Sequence, residues 1–383
     1  MHLPTYFNGI DAVEKQLDPI NIKILTAMWK LGPRNLLRIS RQIRTPSTSV
    51  HERVARLEAK SGRIAYLVPK TSEIGMIRVV VLVEARAGSE ELVTAALKLP
   101  NLWRSINLCE GVFTHLSVHI VPTQFLDDFK KYVRQLLKLG LIRRYRTLLT
   151  GDYAVNFPNF TYYDPKLRNW RFQWQRWINV LNDETPKLVA SDSNRHPINV
   201  DKKDLLIIKE LEKNARMTLA DMAPKLGMSL PGVKYRFDKM VRTGLVQPID
   251  FDVFPYPVEV SAHHEVMLEF TTKHAMNKFL SLTSELFFIR GVARVLSSKT
   301  LILRTYILQS QLRNMFAFFS EMAQDGMIRS YSSVRVEFAG RKTQTISYEL
   351  FDDEKGWVVD MSQCISKLSK LVSANNLRAA PRP

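Results

Sequence analysis

Cysteine is almost absent from this chain. Two thiols in 383 residues, Cys109 and Cys364, exclude a disulfide framework and are too few for a zinc site. Both read as small buried hydrophobes in a reducing compartment. No run of about 18 apolar residues occurs, and Met1 to Gln16 lack a basic stretch followed by an apolar one, which predicts a soluble, cytoplasmic protein with no membrane segment. Also missing are a glycine-rich phosphate loop, a His-Glu-x-x-His and a Cys-x-x-Cys. His115 and His119 share a strand face but lie about 13 Å apart at roughly 3.3 Å per residue, too far for one metal. His263 and His264 fall on opposite faces, and Asp127-Asp128 and Asp352-Asp353-Glu354 read as helix starts. The expectation is a chain with no catalytic residues, cofactor or metal, and not an enzyme.

Acidic residues are also in deficit. There are 37 against 55 Lys and Arg, a net charge of +18, which suits a polyanionic partner. The excess is uneven. Residues 18–70 hold 11 basic and 3 acidic side chains, whereas residues 201–250 hold 10 and 7. Polyanion binding would draw more of its electrostatic attraction from the first stretch.

Those two stretches are copies of one another. Asp18 to Leu57 lies over Asp201 to Met240 without a gap, so that Leu25 falls on Ile208, Leu36 on Leu219, Ile39 on Met222, Val50 on Val233 and Arg53 on Arg236. Further on, Gly140 to Tyr145 matches Gly326 to Tyr331. Two matches in the same order mean a duplicated unit, and 383 residues allow two to four domains.

Each unit opens on three helices. Asp18-Pro19 caps the first, whose apolar positions Ile24, Leu25 and Met28 end at Gly32-Pro33. Short helices follow over Leu36 to Ile43 and Leu219 to Leu226, and a tight turn then leads to a third. That third helix turns Val50, Val54 and Leu57 inward in the first copy, and Val233, Phe237 and Met240 in the second. Ser47, Thr48, His51, Arg53, Arg56 and Lys60 face outward in copy one, and Lys234, Arg236, Lys239 and Arg242 in copy two. Gly62-Arg63-Ile64 and Gly244-Leu245-Val246 would then begin a wing strand. A solvated basic face on a packing unit is the plain alternative, but a small polar start and a basic outer face suit a helix laid in a DNA major groove.

The set Leu17, Asp18, Ile24, Leu25, Ser47, Val50, Arg53, Val54, Leu57, Glu58, Gly62 and Ile64 resembles the winged helix-turn-helix of the Lrp/AsnC transcription regulators. Copy two departs from that pattern at Pro224 and at Leu230-Pro231-Gly232, and Pro231 is tolerable only in the first turn of its helix.

After each wing the period changes. Ile77 to Val83, Leu102 to Leu108, His115 to Ile120 and Leu141 to Leu149 read as strands, and Ser89 to Leu99 and Phe125 to Leu139 as helices. The second copy gives strands over Val266 to Phe270, Phe287 to Leu296, Leu301 to Ile307 and Ile328 to Phe338, with helices over Ala275 to Leu282 and Leu312 to Met322. Both orders are βαββαβ, an antiparallel sheet with two helices on one face. The resemblance implies an effector domain that pairs sheet to sheet. The family's Gly and Asp between the second and third strands have no counterpart in Gly111-Val112-Phe113-Thr114 or Ser297-Ser298-Lys299-Thr300, so no ordinary amino-acid effector is expected. The effector is left unknown.

An aromatic tail closes each unit. Tyr162, Tyr163, Trp170, Phe172, Trp174 and Trp177 alternate with basic residues, which would suit stacking on single-stranded nucleic acid. Packing is the better reading. Asp164-Pro165 would cap a helix with Trp170, Trp174, Trp177 and Leu181 on one face, matched at the chain's end by Trp357, Met361, Cys364, Ile365 and Leu368.

The expected protein is α+β and built of two repeats, each a winged helix-turn-helix, a ferredoxin-like βαββαβ sandwich and an amphipathic tail. The divisions are 17–70, 76–150, 151–199, 200–255, 260–340 and 341–383. The resemblance implies an archaeal-like tandem regulator acting on double-stranded DNA as an internal pseudo-dimer, with homodimers or larger assemblies forming through the sheets. Base contacts would come from Ser47, Thr48, His51 and Arg53, with Arg41, Arg44, Arg56 and Lys60 nearer phosphates. Ser229, Lys234, Arg236 and Lys239 would serve in copy two. Siroheme decarboxylases, which look like paired units of the same kind, are the rival reading.

Overall fold

The computed structural model describes residues 16–61, 65–183, 197–246, 249–251, 256, 260–337 and 341–379. The first wing residues, Gly62-Arg63-Ile64, and Phe338 lie outside them.

The first unit starts with α1 (Pro19–Leu31), α2 (Leu36–Ile43) and α3 (Ser47–Ser61), followed by β1 (Ala65–Leu67). Asp18 caps α1 by accepting from the amides of Ile20 and Asn21 at 2.9 and 2.8 Å. Gly32 ends α1 at φ +85°, in backbone space that favours glycine. Ile24, Leu25, Met28, Ile39 and Val50 are fully buried, as their spacing requires. The sandwich follows as β2 (Met76–Ala85), α4 (Glu90–Lys98), β3 (Trp103–Glu110), β4 (His115–Pro122), α5 (Leu126–Lys138) and β5 (Ile142–Thr150), then β6 (Ala154–Val155). The tail is a hairpin of β7 (Tyr163–Asp164) and β8 (Asn169–Trp170) with α6 (Trp174–Asp183).

The second unit repeats the order: α7 (Lys202–Lys213), α8 (Leu219–Lys225), α9 (Leu230–Arg242), β9 (Ile249–Phe251), β10 (Ser261–Phe270), α10 (Lys273–Leu282), β11 (Ile289–Arg294), β12 (Thr300–Leu308), α11 (Leu312–Gln324), β13 (Ile328–Val336), β14 (Lys342–Thr343), the hairpin β15 (Phe351–Asp352) and β16 (Gly356–Trp357), and α12 (Met361–Ala379). Asp201 and Asp204 form a capping box on α7. Pro231 stands in the first turn of α9, where its missing amide costs nothing, and Pro224 sits next to the last residue of α8.

The tails begin differently from expectation. Trp170 and Trp357 lie on hairpin strands, not on the helices, because Asp164 accepts from the amides of Lys166 and Leu167 at 3.0 and 3.1 Å and so closes a turn instead of capping a helix. Asp352 does the same for Glu354 and Lys355.

The two sandwiches share one continuous sheet. The strand order is β5-β2-β4-β3-β13-β10-β12-β11-β6, with β14 beside β3. Each half kinks at the same place, between Glu84 and Ala85 in β2 and between Glu269 and Phe270 in β10. The two ends of the path meet, since Leu296 donates to the carbonyl of Leu149 at 2.8 Å and Gly151 to that of Arg294 at 3.0 Å. Val80, Leu82, Leu116, Val118, Met267 and Ile302 pack in one cluster on the sheet faces away from the helices. The sheet-to-sheet pairing expected between two chains is therefore made within one.

The tails are exchanged. Trp170, Trp177 and Leu181 of the first tail belong to one core with Val266, Phe279 and Phe319 of the second sandwich, and that core also takes in Ile24 and Met28 of the first winged helix. Met361, Cys364 and Leu368 of α12 pack instead with Val93, Phe129 and Leu136 of the first sandwich. The second winged helix packs with Ile74, Met76 and Ile120 of the first unit, and Trp357 donates its indole proton to the Ile74 carbonyl at 2.7 Å.

The histidines belong to this packing. His115 is satisfied by Thr94, Thr114 and the Glu90 carbonyl, all within 3.1 Å. His119 bonds Ser117 at 3.0 Å and lies 4.8 Å from the Phe129 ring centre. Burial lowers its pKa to about 3 and that of His264 to about 4. Each of these two is neutral when folded and gains a proton on unfolding below its ordinary value of 6.5, so the stability it contributes is full above pH 6.5 and declines as the pH falls toward 4. Chemical denaturation at pH 7.5 and 5.0 is expected to show a lower unfolding free energy at pH 5.0, with a smaller difference in His119→Gln. An equal difference in that variant would remove His119 from the account.

Candidate nucleic-acid interface

Helix α3 buries Val50, Val54 and Leu57, and the same 3.6-residue period turns Thr48, His51 and Arg56 to solvent, with Ser47 partly covered. Arg41 and Arg44 are exposed at the end of α2, next to the start of α3. Arg44 adopts a left-handed conformation, φ 53°, and its amide donates to the Arg41 carbonyl at 3.3 Å. The side chain of Lys60 lies outside the described residues. In the second copy Lys234 and Lys239 are exposed, as is Tyr235 at 68%. Ser229 is occupied as the cap of α9, its hydroxyl accepting from the Gly232 amide at 3.3 Å.

Arg53 and Arg236 do not join that outer face. Arg53 Nη1 donates to Asp18 Oδ2 at 2.5 Å and to Asn21 Oδ1 at 3.1 Å. At the matching place, Arg236 Nη1 donates to both oxygens of Asp201, at 2.8 and 2.7 Å, and to Asp204 at 2.8 Å. Burial works against the Arg236 charge, but Asp204 and Asp201 outweigh it and hold the guanidinium charged. In both copies this arginine ties the third helix to the cap of the first. Arg53→Ala is expected to lower the unfolding free energy by about 1–2 kcal/mol, a modest figure because Asp18 is partly solvated, while changing duplex affinity less than twofold. Chemical denaturation beside a binding titration checks it, and unchanged stability with lost binding would return Arg53 to the reading face.

The two winged helices are joined by a ribbon. Strand β1 pairs antiparallel with β9, matching Ala65 with Phe251, Tyr66 with Asp250 and Leu67 with Ile249, and the Tyr66 hydroxyl donates to Asp250 at 2.7 Å. Each unit's wing strand thus finds its partner in the other unit. Reciprocal arginines brace the join. Arg34 donates to the Ala215 carbonyl at 2.8 Å and lies 4.2 Å from the Phe237 ring centre. Arg216 donates to the Pro33 carbonyl at 3.2 Å and forms an ion pair with Glu58. None of these partners is close in sequence, so they were not visible as a set. Among the described residues no group of three or more His, Cys, Asp or Glu side chains could hold a metal, and no helix is long and apolar enough to cross a membrane.

The class that the fold defines is an α+β protein in which a winged helix-turn-helix and a ferredoxin-type βαββαβ sheet each occur twice. The family described as winged helix-turn-helix DNA-binding matches residues 200–247. An uncharacterized HTH-type transcriptional regulator of Pyrococcus abyssi is 35% identical over 48 residues, 12% of this chain and 31% of that protein; a Pyrococcus horikoshii counterpart is equally similar. The chain therefore spans about a third of the curated relatives it matches. Over the whole fold it is similar to the siroheme decarboxylase NirDL, at 11% identity and a TM-score of 0.51, covering 92% of this chain and 98% of that one. A second NirDL structure holds an iron-uroporphyrin III analogue and matches equally well, at 10% identity.

That likeness corrects one expectation. The lack of recognisable catalytic motifs argued against an enzyme, but a fold that matches this chain nearly end to end carries one. Missing motifs do not decide the matter on this architecture.

Proposed function

We propose that this chain is a DNA-binding transcription regulator whose two winged helices read two half-sites from one polypeptide. The observation that supports it most is the β1–β9 ribbon, which fixes the two basic third helices to one another inside a single chain. In this reading Thr48, His51 and Ser47 of the first copy meet base edges, with the exposed Arg41, Arg44 and Arg56 on phosphates. Lys234 and Lys239 add phosphate contacts from the second copy. Arg53 and Arg236 are assigned to holding their helices in place, and Ser229 to capping. Double-stranded DNA is the partner, and further association into homodimers is not needed to supply a second reader. Selection from random duplexes by the full chain tests this. An enriched sequence with two half-sites is expected, and flat enrichment would sink the reading.

A second reading is favoured by the fold likeness to NirDL over nearly the whole chain. It makes the protein a siroheme-decarboxylase-like enzyme. Anaerobic titration with siroheme separates the two, because saturable spectral change with release of carbon dioxide is expected only of the enzyme.

A further inference from the structure

Beyond the apolar cluster, the strands of the joined sheet carry charge that is buried. Arg78 on β2 is 7% exposed and Glu265 on β10 is 4% exposed. Glu265 stands directly opposite Arg304 of β12 and accepts from its Nε at 2.7 Å. The guanidiniums of Arg78 and Arg304 each lie 5.2 Å from the ring centre of Tyr153. Tyr153 can sit there because Gly291 has no side chain, since a Cβ at that position would be 1.8 Å from the phenol oxygen. Its neighbour Asp152 is pinned by Thr71 at 3.0 Å and by the Ser72 amide and hydroxyl at 3.1 and 2.5 Å.

The same group reaches the ribbon. Arg290, 9% exposed, donates to Asp250 at 3.3 Å and to the Phe251 carbonyl at 3.0 Å, and Asp250 is the partner of Tyr66. Burial, and after it the like charge of Arg304, lower the Arg341 pKa, and Tyr66, Tyr153 and Glu265 oppose the shift. Among the described residues, four arginines thus stand with two carboxylates, an excess of two positive charges. Burial lowers the Arg78 pKa to about 10, with Arg304 adding to the effect, and the group is still a cation at neutral pH. Three donors here are withdrawn from solvent with no hydrogen-bond partner among the described residues: Tyr153 Oη, Arg290 Nη1 and Arg341 Nε. Buried donors and charges are ordinarily matched. Tyr153, Arg304 and Arg341 are each half-buried, so the cluster is not wholly closed off from solvent.

We propose that this cluster binds a small dianion, either a dicarboxylate or a phosphate, that supplies the two missing negative charges and accepts from Tyr153, Arg290 and Arg341. Binding would brace Asp250 and Tyr66, and through them the ribbon beneath both winged helices. The binding step stands apart from the DNA reading, and only its transmission to DNA rests on that reading.

The full chain is titrated with succinate, inorganic phosphate and acetate at matched ionic strength while its Tm is followed. The expected result is a rise of several degrees with succinate or with phosphate at concentrations up to about 10 mM, and none with acetate. Whichever of the two dianions acts identifies the source. Arg341→Gln and Tyr153→Phe are expected to abolish the rise; if the first fails to fold, the second, which removes only a hydroxyl, decides. No rise with either dianion, an equal rise with acetate, or a rise kept in Tyr153→Phe overturns the site. A duplex titration with and without the active dianion reads the transmission. Unchanged affinity overturns transmission and leaves the site standing.

Discussion

Replacing Trp177 by alanine is expected to lower the unfolding free energy by about 3–5 kcal/mol, one of the two largest effects anticipated for a single site or cluster. The ring is 1% exposed, and its centre lies 5.2 Å from that of Trp174, 5.8 Å from Tyr162, 5.9 Å from Phe288 and 6.0 Å from Phe287. Those neighbours come from both units, Trp174 and Tyr162 from the first tail and Phe287 and Phe288 from the second sandwich. The residual cavity would be walled by aromatic rings held from both units, which leaves little collapse to offset it. Urea denaturation followed by tryptophan fluorescence and by circular dichroism checks the value, and a loss below about 1 kcal/mol would mean that the tail is not part of that core.

The second large effect concerns polyanion binding. Changing Arg41, Arg44 and Arg56 together to alanine is expected to weaken duplex binding by on the order of 100-fold at low salt, and to lower the slope of log affinity against log salt by about three units. All three are exposed and flank the start or the outer face of α3. The parallel change of Lys234 and Lys239 is expected to do less. Lys239 Nζ is already 3.9 Å from Asp204 Oδ2, and the stretch around it has 10 basic side chains against 7 acidic, where the first copy has 11 against 3. Titrations at several salt concentrations test both variants. Equal losses would show that the two heads contribute alike, and no loss in either would dismiss the DNA reading.

Much of this fold was legible because its units are local. Helix and strand assignments rest on apolar spacing, and from Met76 to Thr150 each element appears where the period changes. What was not legible came from partners far apart in the chain. Arg53 points outward by helical period, but its long side chain reaches back to Asp18, 35 residues earlier. Trp170 was placed on a helix because an aspartate that caps a helix and one that closes a turn use the same hydrogen bonds. The ribbon joins Tyr66 to Asp250 across 184 residues, and no pattern within either strand announces it. The charges at Arg78, Glu265 and Arg304 are visible as interruptions in apolar strands. That they meet depends on how two sheets are laid together.

The exchanged tails carry a consequence for how this protein behaves as its amount varies. In a two-chain assembly of this shape, each tail would find its groove only by encounter, and folding would weaken on dilution. Here the tether keeps each tail at a high effective concentration for the opposite sandwich, so the melting temperature should not depend on protein concentration. The same tether biases pairing towards the chain's own other half. A related chain present in the same cell would compete for either half only against this high local concentration, so pairing within the chain is favoured over mixed assemblies.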